Sequence, residues 1–261
     1  MNADRIPSII RGATAILVVA ALYEVTARSD VFPRALMPTL PKVASTFVDL
    51  CADGTMVWHA LYTLYRMFTG FALAVAVGLP LGVLMGRYRP VETFFLPITS
   101  ALMPIPSLAW VPVFILWFGL GNTVTVLIVF YAAMFPMVLS AWSGMRAVNQ
   151  LWLRAAGAMG ANENAMFWKV ILPGASPFII TGLRQAFLRS WIAVVGAEMI
   201  AASEWGLGWV IYDSKEFLNV DVMLASVAVI GLIGFVFERL VFGSLERATV
   251  QRWGMVQAAK A

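Results

Sequence analysis

Hydrophobic residues run along this chain in long blocks, each near the length of a bilayer crossing, and the charged residues gather at the block ends. The blocks fall at about 9–27, 60–85, 93–118, 123–142, 177–201 and 221–242. A helix rising 1.5 Å per residue needs about 20 apolar residues to cross the hydrocarbon core. Each block therefore predicts one transmembrane helix. The whole predicts an all-α membrane protein of about six spans in a single transmembrane domain, residues 1–261.

Two blocks carry internal patterns. Gly70, Ala74, Gly78, Gly82 and Gly86 place a small residue at every fourth position of the second block. Such a stripe lets a neighbouring helix come close, which matters in lipid because packing has to supply the association. Whether that neighbour is in the same chain or in a second copy is open at this level. The third block contains Pro97, Pro104, Pro106 and Pro112. Each proline removes a backbone donor and clashes with the preceding turn, so this helix must be kinked or broken. Freed carbonyls at membrane depth are tolerated where protein or a watery cavity surrounds them. Pro104, Pro106 and Trp110 are therefore candidates for lining a pathway, the alternative being a kinked and simply packed helix.

Composition agrees with lipid as the solvent. The 261 residues are 61% hydrophobic and 12% charged, with mean hydropathy +0.84, far from the make-up of soluble domains. The net charge of +4 is spread over block ends instead of forming a patch, which argues against a nucleic-acid partner. A lone Cys51 excludes an intramolecular disulfide, and a lone His59 leaves no second imidazole for a His-based metal site. Arg5 and Arg11 before the apolar 13–23 stretch resemble a secretory signal, but no small-x-small cleavage site follows, so the stretch reads as a first anchor. Arg87, Arg89, Arg146, Arg154, Lys169, Arg239, Arg247 and Arg252 fall on one side of the predicted membrane. The excess places both termini and the 146–177 loop in the cytoplasm.

That loop is apolar where it should face water. It reads Leu153-Arg154-Ala155-Ala156-Gly157-Ala158-Met159-Gly160, then nine residues, then Val170-Ile171-Leu172-Pro173. Ala155, Ala156 and Met159 share a side at helical spacing, and a turn at Gly160 would start a second short helix over about 162–168, which Pro173 is expected to stop. An apolar segment of this kind makes sense with a partner.

The loop resembles the EAA loop of binding-protein-dependent ABC importer permeases: Glu-Ala-Ala, three residues, Gly, nine residues, Ile-x-Leu-Pro. The spacing agrees throughout, with Val170 for Ile and Arg154 at the Glu position. That exchange reverses a charge, so any ion pair formed there must be absent or rebuilt. The resemblance implies a type I importer permease architecture of the MetI-like kind. It implies coupling to ATPase subunits through 151–173, by Arg154, Ala155, Ala156, Gly160 as the turn, the docking segment 161–168 with Ala161, Asn162, Glu163 and Met166, and the exit Leu172-Pro173. It further implies two ATPase subunits that hold ATP and Mg, a second permease copy, an extracytoplasmic solute-binding protein and location in the bacterial inner membrane. No Gly-x-x-x-x-Gly-Lys-Ser/Thr cradle occurs in the chain, so it is expected to bind no nucleotide and to be no enzyme itself.

Further strings are similar to one branch of that family, the nitrate, sulfonate and taurine permeases. They include Leu40-Pro41-Lys42-Val43, Thr69-Gly70-Phe71-Ala72-Leu73, Pro104-Ile105-Pro106-Ser107-Leu108-Ala109-Trp110, and Ala197-Glu198-Met199-Ile200-Ala201-Ala202 followed by Gly206-Leu207-Gly208. The resemblance covers about 40–253 and implies a small anionic cargo. Relatives that carry aromatic carboxylates or thiamine-pyrimidine precursors leave the cargo open.

Among the charges inside predicted spans, Arg189, Arg66 and Glu198 are candidates for a role. Arg189 sits about 18 Å into the fifth, where facing lipid costs about 2.5 kcal/mol or more. It is either an anion-friendly point of a pathway, together with Trp191, or half of a structural pair. Arg66 and Glu198 have opposite signs and similar depth. As an outer brace they would be expected to survive an exchange of both charges. Two rival classes are weaker. An intramembrane enzyme lacks His-Glu-x-x-His and Gly-x-Ser-x-Gly. An ion-driven secondary transporter would be expected to show inverted repeats and more intramembrane carboxylates than Glu198.

Overall fold

The computed structural model describes residues 5–29, 31–202 and 204–242, and the tail expected to carry Arg247 and Arg252 lies outside them. The chain runs through α1 (Arg5–Arg28), α2 (Leu40–Ala52), α3 (Thr55–Arg87), α4 (Arg89–Leu102), a 3-10 turn (Ser107–Trp110), α5 (Val111–Phe118) and α6 (Asn122–Arg146). It continues through α7 (Gln150–Ala158), α8 (Glu163–Met166), a π turn (Phe167–Ile171), α9 (Leu172–Ala201), α10 (Leu207–Glu216), α11 (Val220–Val236) and a closing π turn (Phe237–Phe242). Among the described residues, α3, α6, the continuous 163–201 path and α11 are each long and apolar enough to cross a membrane. α4 and the 107–118 segment, bent by 87° at a short break, together have the length and apolarity of a fifth, either as a broken span or as a re-entrant loop.

The centre is the three-helix packing of α3, α6 and α9. The small-residue stripe faces α6 of the same chain. A Cβ placed on Gly70 would lie 2.7 Å from the Val126 carbonyl oxygen, and one on Gly82 would lie 2.4 Å from that of Val138. The opposite side of α6 is gripped likewise, since a Cβ on Gly182 of α9 would lie 2.4 Å from Ser140 Cβ. Glycine is required here for proximity, not for backbone freedom. Met67, Val129, Phe187 and Val194 fill the middle, with Ala74, Ala133, Met137 and Ala186 below. By contrast Ile16, Leu17 and Val19 of α1 are exposed, which suits lipid contact. α1 is tied to the rest by the Tyr23 hydroxyl donating to the Pro38 carbonyl and by the Leu40 amide donating to Glu24 Oε2 (both 2.8 Å).

The third block is broken, as its prolines predict, and one expectation is corrected. Pro104 and Pro106 cannot donate to the carbonyls of Ser100 and Leu102, and the chain leaves helical geometry at that point. Pro173 does not stop the short loop helix: the Leu172 amide bonds back to the Phe167 carbonyl in a π turn, and proline enters α9 in its first turn, where a missing N–H does no harm.

Replacing Gly82 by leucine forces α3 off α6 and should lower stability by about 1–3 kcal/mol or more. Gly231→Ala, whose added Cβ meets nothing within 4 Å, should leave stability unchanged. Thermal unfolding of the detergent-solubilised chain measures both.

Candidate functional site

The loop between α6 and α9 is built by capping. Asn149 Oδ1 accepts the Leu151 amide at 2.8 Å and starts α7. α7 ends in a Schellman arrangement: the Ala161 amide bonds to the Ala156 carbonyl (3.0 Å), and the Gly160 amide to that of Gly157 (3.0 Å). Gly160 is at φ +80°, a left-handed position that glycine occupies without strain. Two residues later Asn162 Oδ1 accepts the Ala165 amide at 2.8 Å and starts α8. The spacing from Ala156 to Gly160 to Asn162 is therefore a turn that reverses the chain between two short helices.

The loop grips the bundle through Phe167. This side chain is buried with Met145, Val148 and Ala175, against Val83 and Ile171. The Arg87 guanidinium lies over its ring at 4.4 Å and donates to Asn164 Oδ1 at 3.4 Å. The ends of α3, α6 and α9 thus meet at one aromatic ring. Neither Arg87 nor Phe167 stood out in the sequence, because a buried aromatic and a helix-end arginine are common in any membrane chain. Of the predicted loop residues, Ala156 is buried, whereas Arg154, Ala155, Gly160, Asn162 and Glu163 are exposed. Ala156 therefore does not share an outward side with Ala155 and Met159. Met166 is half-buried, its Cε 4.0 Å from where a Gly157 Cβ would sit. Ala161 and Leu172 are half-buried, and Pro173 is exposed. Met159 (81% exposed), at the turn, and Trp168 (64%), in the π turn edge-on to Phe167, are both exposed. Arg154 makes no ion pair among the described residues.

The opposite end of the bundle holds a buried polar cluster. Arg66 and Glu198 lie 2.8 Å apart, with side chains 3% and 0% exposed. Arg66 also donates to Asn122 Oδ1 (2.7 Å) and to the Trp205 carbonyl. Glu198 accepts from the Thr63 hydroxyl (2.8 Å) and the Gly208 amide (3.0 Å). Thr63 Oγ1 accepts the Leu207 amide at 2.8 Å, and His59 Nδ1 accepts that of Gly206 at 3.0 Å. The amides of Gly206, Leu207 and Gly208 and the carbonyl of Trp205 therefore all end on this cluster. A Cβ on Gly206 would lie 2.5 Å from Glu198 Cδ, which explains the glycine. Exchange of the two charges, expected of a bare pair, would strand the Gly208 amide, Asn122 and the Trp205 carbonyl.

The predicted pathway residues divide. Pro104, Pro106 and Arg189 line one cavity of about 590 Å³ at the break between α4 and the 3-10 turn. Trp110 stands behind it, stacked on Phe114 and 5.7 Å from Tyr131, a wall residue. Trp191 is not there. Two positions along α9 rotate it by about 200° from Arg189, and it is buried with Met67 and Phe187. A further ion pair, Arg184 with Glu238, joins α9 to the closing π turn and was not anticipated.

The described residues thus form an all-α domain of membrane-length helices around a three-helix core, with a cavity at a proline break and a capped loop presenting exposed apolar side chains. The chain belongs to the family of binding-protein-dependent transport system inner membrane components, which it matches over residues 78–248. It is 39% identical over 205 residues to the taurine transport system permease protein TauC of Escherichia coli K12, spanning 78% of this chain and 74% of that one. It is 30% identical over 201 residues to the bicarbonate transport system permease protein CmpB of Synechococcus elongatus, spanning 77% and 70%. These relatives place it in the nitrate, sulfonate and taurine branch of ABC permeases. An inward-facing structure of the MetNI methionine ABC transporter shares the fold, with TM-score 0.54 and 22% identity over 69% of this chain and 92% of that one. The MetI-like type I importer architecture follows.

Glu198→Ala leaves a buried guanidinium unpaired and should cost about 3–5 kcal/mol of stability, while Arg66→Met with Glu198→Met regains part of the loss. Thermal unfolding measures both. A single variant as stable as the parent would contradict the account.

Proposed function

We propose that this chain forms the translocation pathway of an ABC importer for a small anion of the sulfonate, taurine or nitrate kind, and that the 150–171 loop couples it to the motor. Two copies side by side enclose the pathway, two ATPase subunits that bind ATP and Mg sit against the loops, and a solute-binding protein delivers cargo on the far side. The chain lies in the bacterial inner membrane with the loop and both termini in the cytoplasm, as the distribution of arginine and lysine supports.

The observation that carries the coupling role is the pairing of exposed and anchored apolar groups within one turn. Met159 and Trp168 are left bare at the tip, while Phe167, next in sequence to Trp168, is locked under Arg87 into the bundle. Bare apolar side chains on a water-facing loop mark a partner surface. A pull on the tip is then delivered to α3, α6 and α9 together, because all three contribute to the Phe167 seat. ATP binding draws the ATPase pair together, the two loops follow, and the pathway between the copies exchanges inward for outward access.

Ala161→Glu puts a carboxylate at the start of the docking segment without touching that seat. Uptake and solute-stimulated ATP hydrolysis should fall at least about tenfold, equivalent to about 1.4 kcal/mol of lost docking, while membrane insertion stays normal. Proteoliposomes carrying the whole complex measure both activities, and normal coupling in this variant would contradict the assignment.

A further inference from the structure

The cavity at the broken span has an unusual wall for a membrane interior: one charge set in a mostly apolar surface. Its volume of about 590 Å³ is that of a small-molecule site. Met103, Ile105, Leu108, Phe135 and Ile192 supply apolar contact, and Arg189 supplies the only charge among the described lining residues. No carboxylate partner reaches Arg189 among the described residues. Near the bilayer centre such a guanidinium needs water or an anion beside it.

The break also fixes the wall. With Pro104 and Pro106 unable to donate, the Leu102 carbonyl is covered by the Ile105 amide (3.1 Å) and by the Tyr131 hydroxyl (2.7 Å). That second bond fastens the proline segment to α6 and commits the Tyr131 proton, so Arg189 is left as the principal donor facing the cavity.

We infer that this cavity is a binding site for a small organic anion with an apolar body, whose head pairs with Arg189 while its body lies against the proline segment and Phe135. The inference rests on the anion-pathway reading above and narrows it. A bare inorganic anion leaves the apolar wall unfilled. A zwitterion such as taurine brings an ammonium for which no lining carboxylate exists among the described residues. Alkyl or aryl sulfonates and carboxylates satisfy both parts of the wall.

Thiol labelling tests this on the full complex in lipid vesicles. Cys51→Ser removes the native thiol and Ser107→Cys places one in the cavity wall, with Ala132→Cys as a second position should the first misfold. The probes, added to both sides, are the anionic 2-sulfonatoethyl methanethiosulfonate and the cationic 2-trimethylammonioethyl methanethiosulfonate. Relative to a free thiol, the anionic reagent should react roughly tenfold faster than the cationic one. Arg189→Gln should erase the preference and Arg189→Lys should keep most of it. Benzenesulfonate should slow labelling, and equal concentrations of sulfate or taurine should not. Absence of a charge preference, as when a carboxylate of the second copy neutralises Arg189, or its survival in Arg189→Gln, would overturn the site. Equal protection by sulfate or taurine would overturn its selectivity. The labelling needs no ATP, so its failure leaves the coupling role standing, and a failure of coupling leaves the labelling preference standing.

Discussion

Helices in lipid gain little from hydrophobic burial against one another, so the structure depends on how closely the backbones of α3, α6 and α9 can approach. Gly70 and Gly82 on one side of α6 and Gly182 on the other remove the side chains that would hold the three apart. Dispersion between closely fitted backbones then does what burial from water does in a soluble core. The result is a body stiff enough to have two ends that can act on each other. Without it, the capped loop at one end and the polar cluster at the other would be local features with no mechanical relation.

The charges follow from the same setting. Arg66 and Glu198 are removed from solvent, and their desolvation is offset by their mutual bond and by further hydrogen bonds to Thr63, Asn122, the Trp205 carbonyl and the Gly208 amide. The pair is therefore less a bond between two residues than a seat for a turn. Arg189 shows the opposite arrangement: a cation nearer the middle of α9, in no ion pair among the described residues, lining a cavity at the proline break. One arrangement holds the backbone in place, and the other leaves a charge facing a cavity.

Much of this was legible in the chain. Bilayer-length blocks and the small-residue stripe dictate the helices and the approach of α3 to a neighbour, because both depend on residue size and apolarity alone. The proline cluster announced the break, and the spacing around Gly160 announced the loop turn. What was hidden depends on three-dimensional neighbours. Trp191 lies in the same helix turn as Arg189, yet faces the core. Pro173 suggests a stop in the sequence alone, yet a π turn carries the helix past it. Helix α10 is too short and too mixed in character to stand out between spans. The partners of Arg66 and Glu198, among them Asn122, Thr63 and the Gly206 turn, come from segments far apart in sequence.

The central claim is that movement of the loop is carried through the α3–α6–α9 body to the opposite end. Spin labels at position 147, the exposed residue that ends α6 at the loop end and lies outside the docking segment, and at position 120, beside the Gly121 amide bonded to the Ala201 carbonyl, report the separation of the two copies at each end by pulsed electron resonance. The account predicts that adding ATP to the reconstituted complex shifts both separations together. A shift at position 147 with an unchanged distribution at position 120 would contradict it.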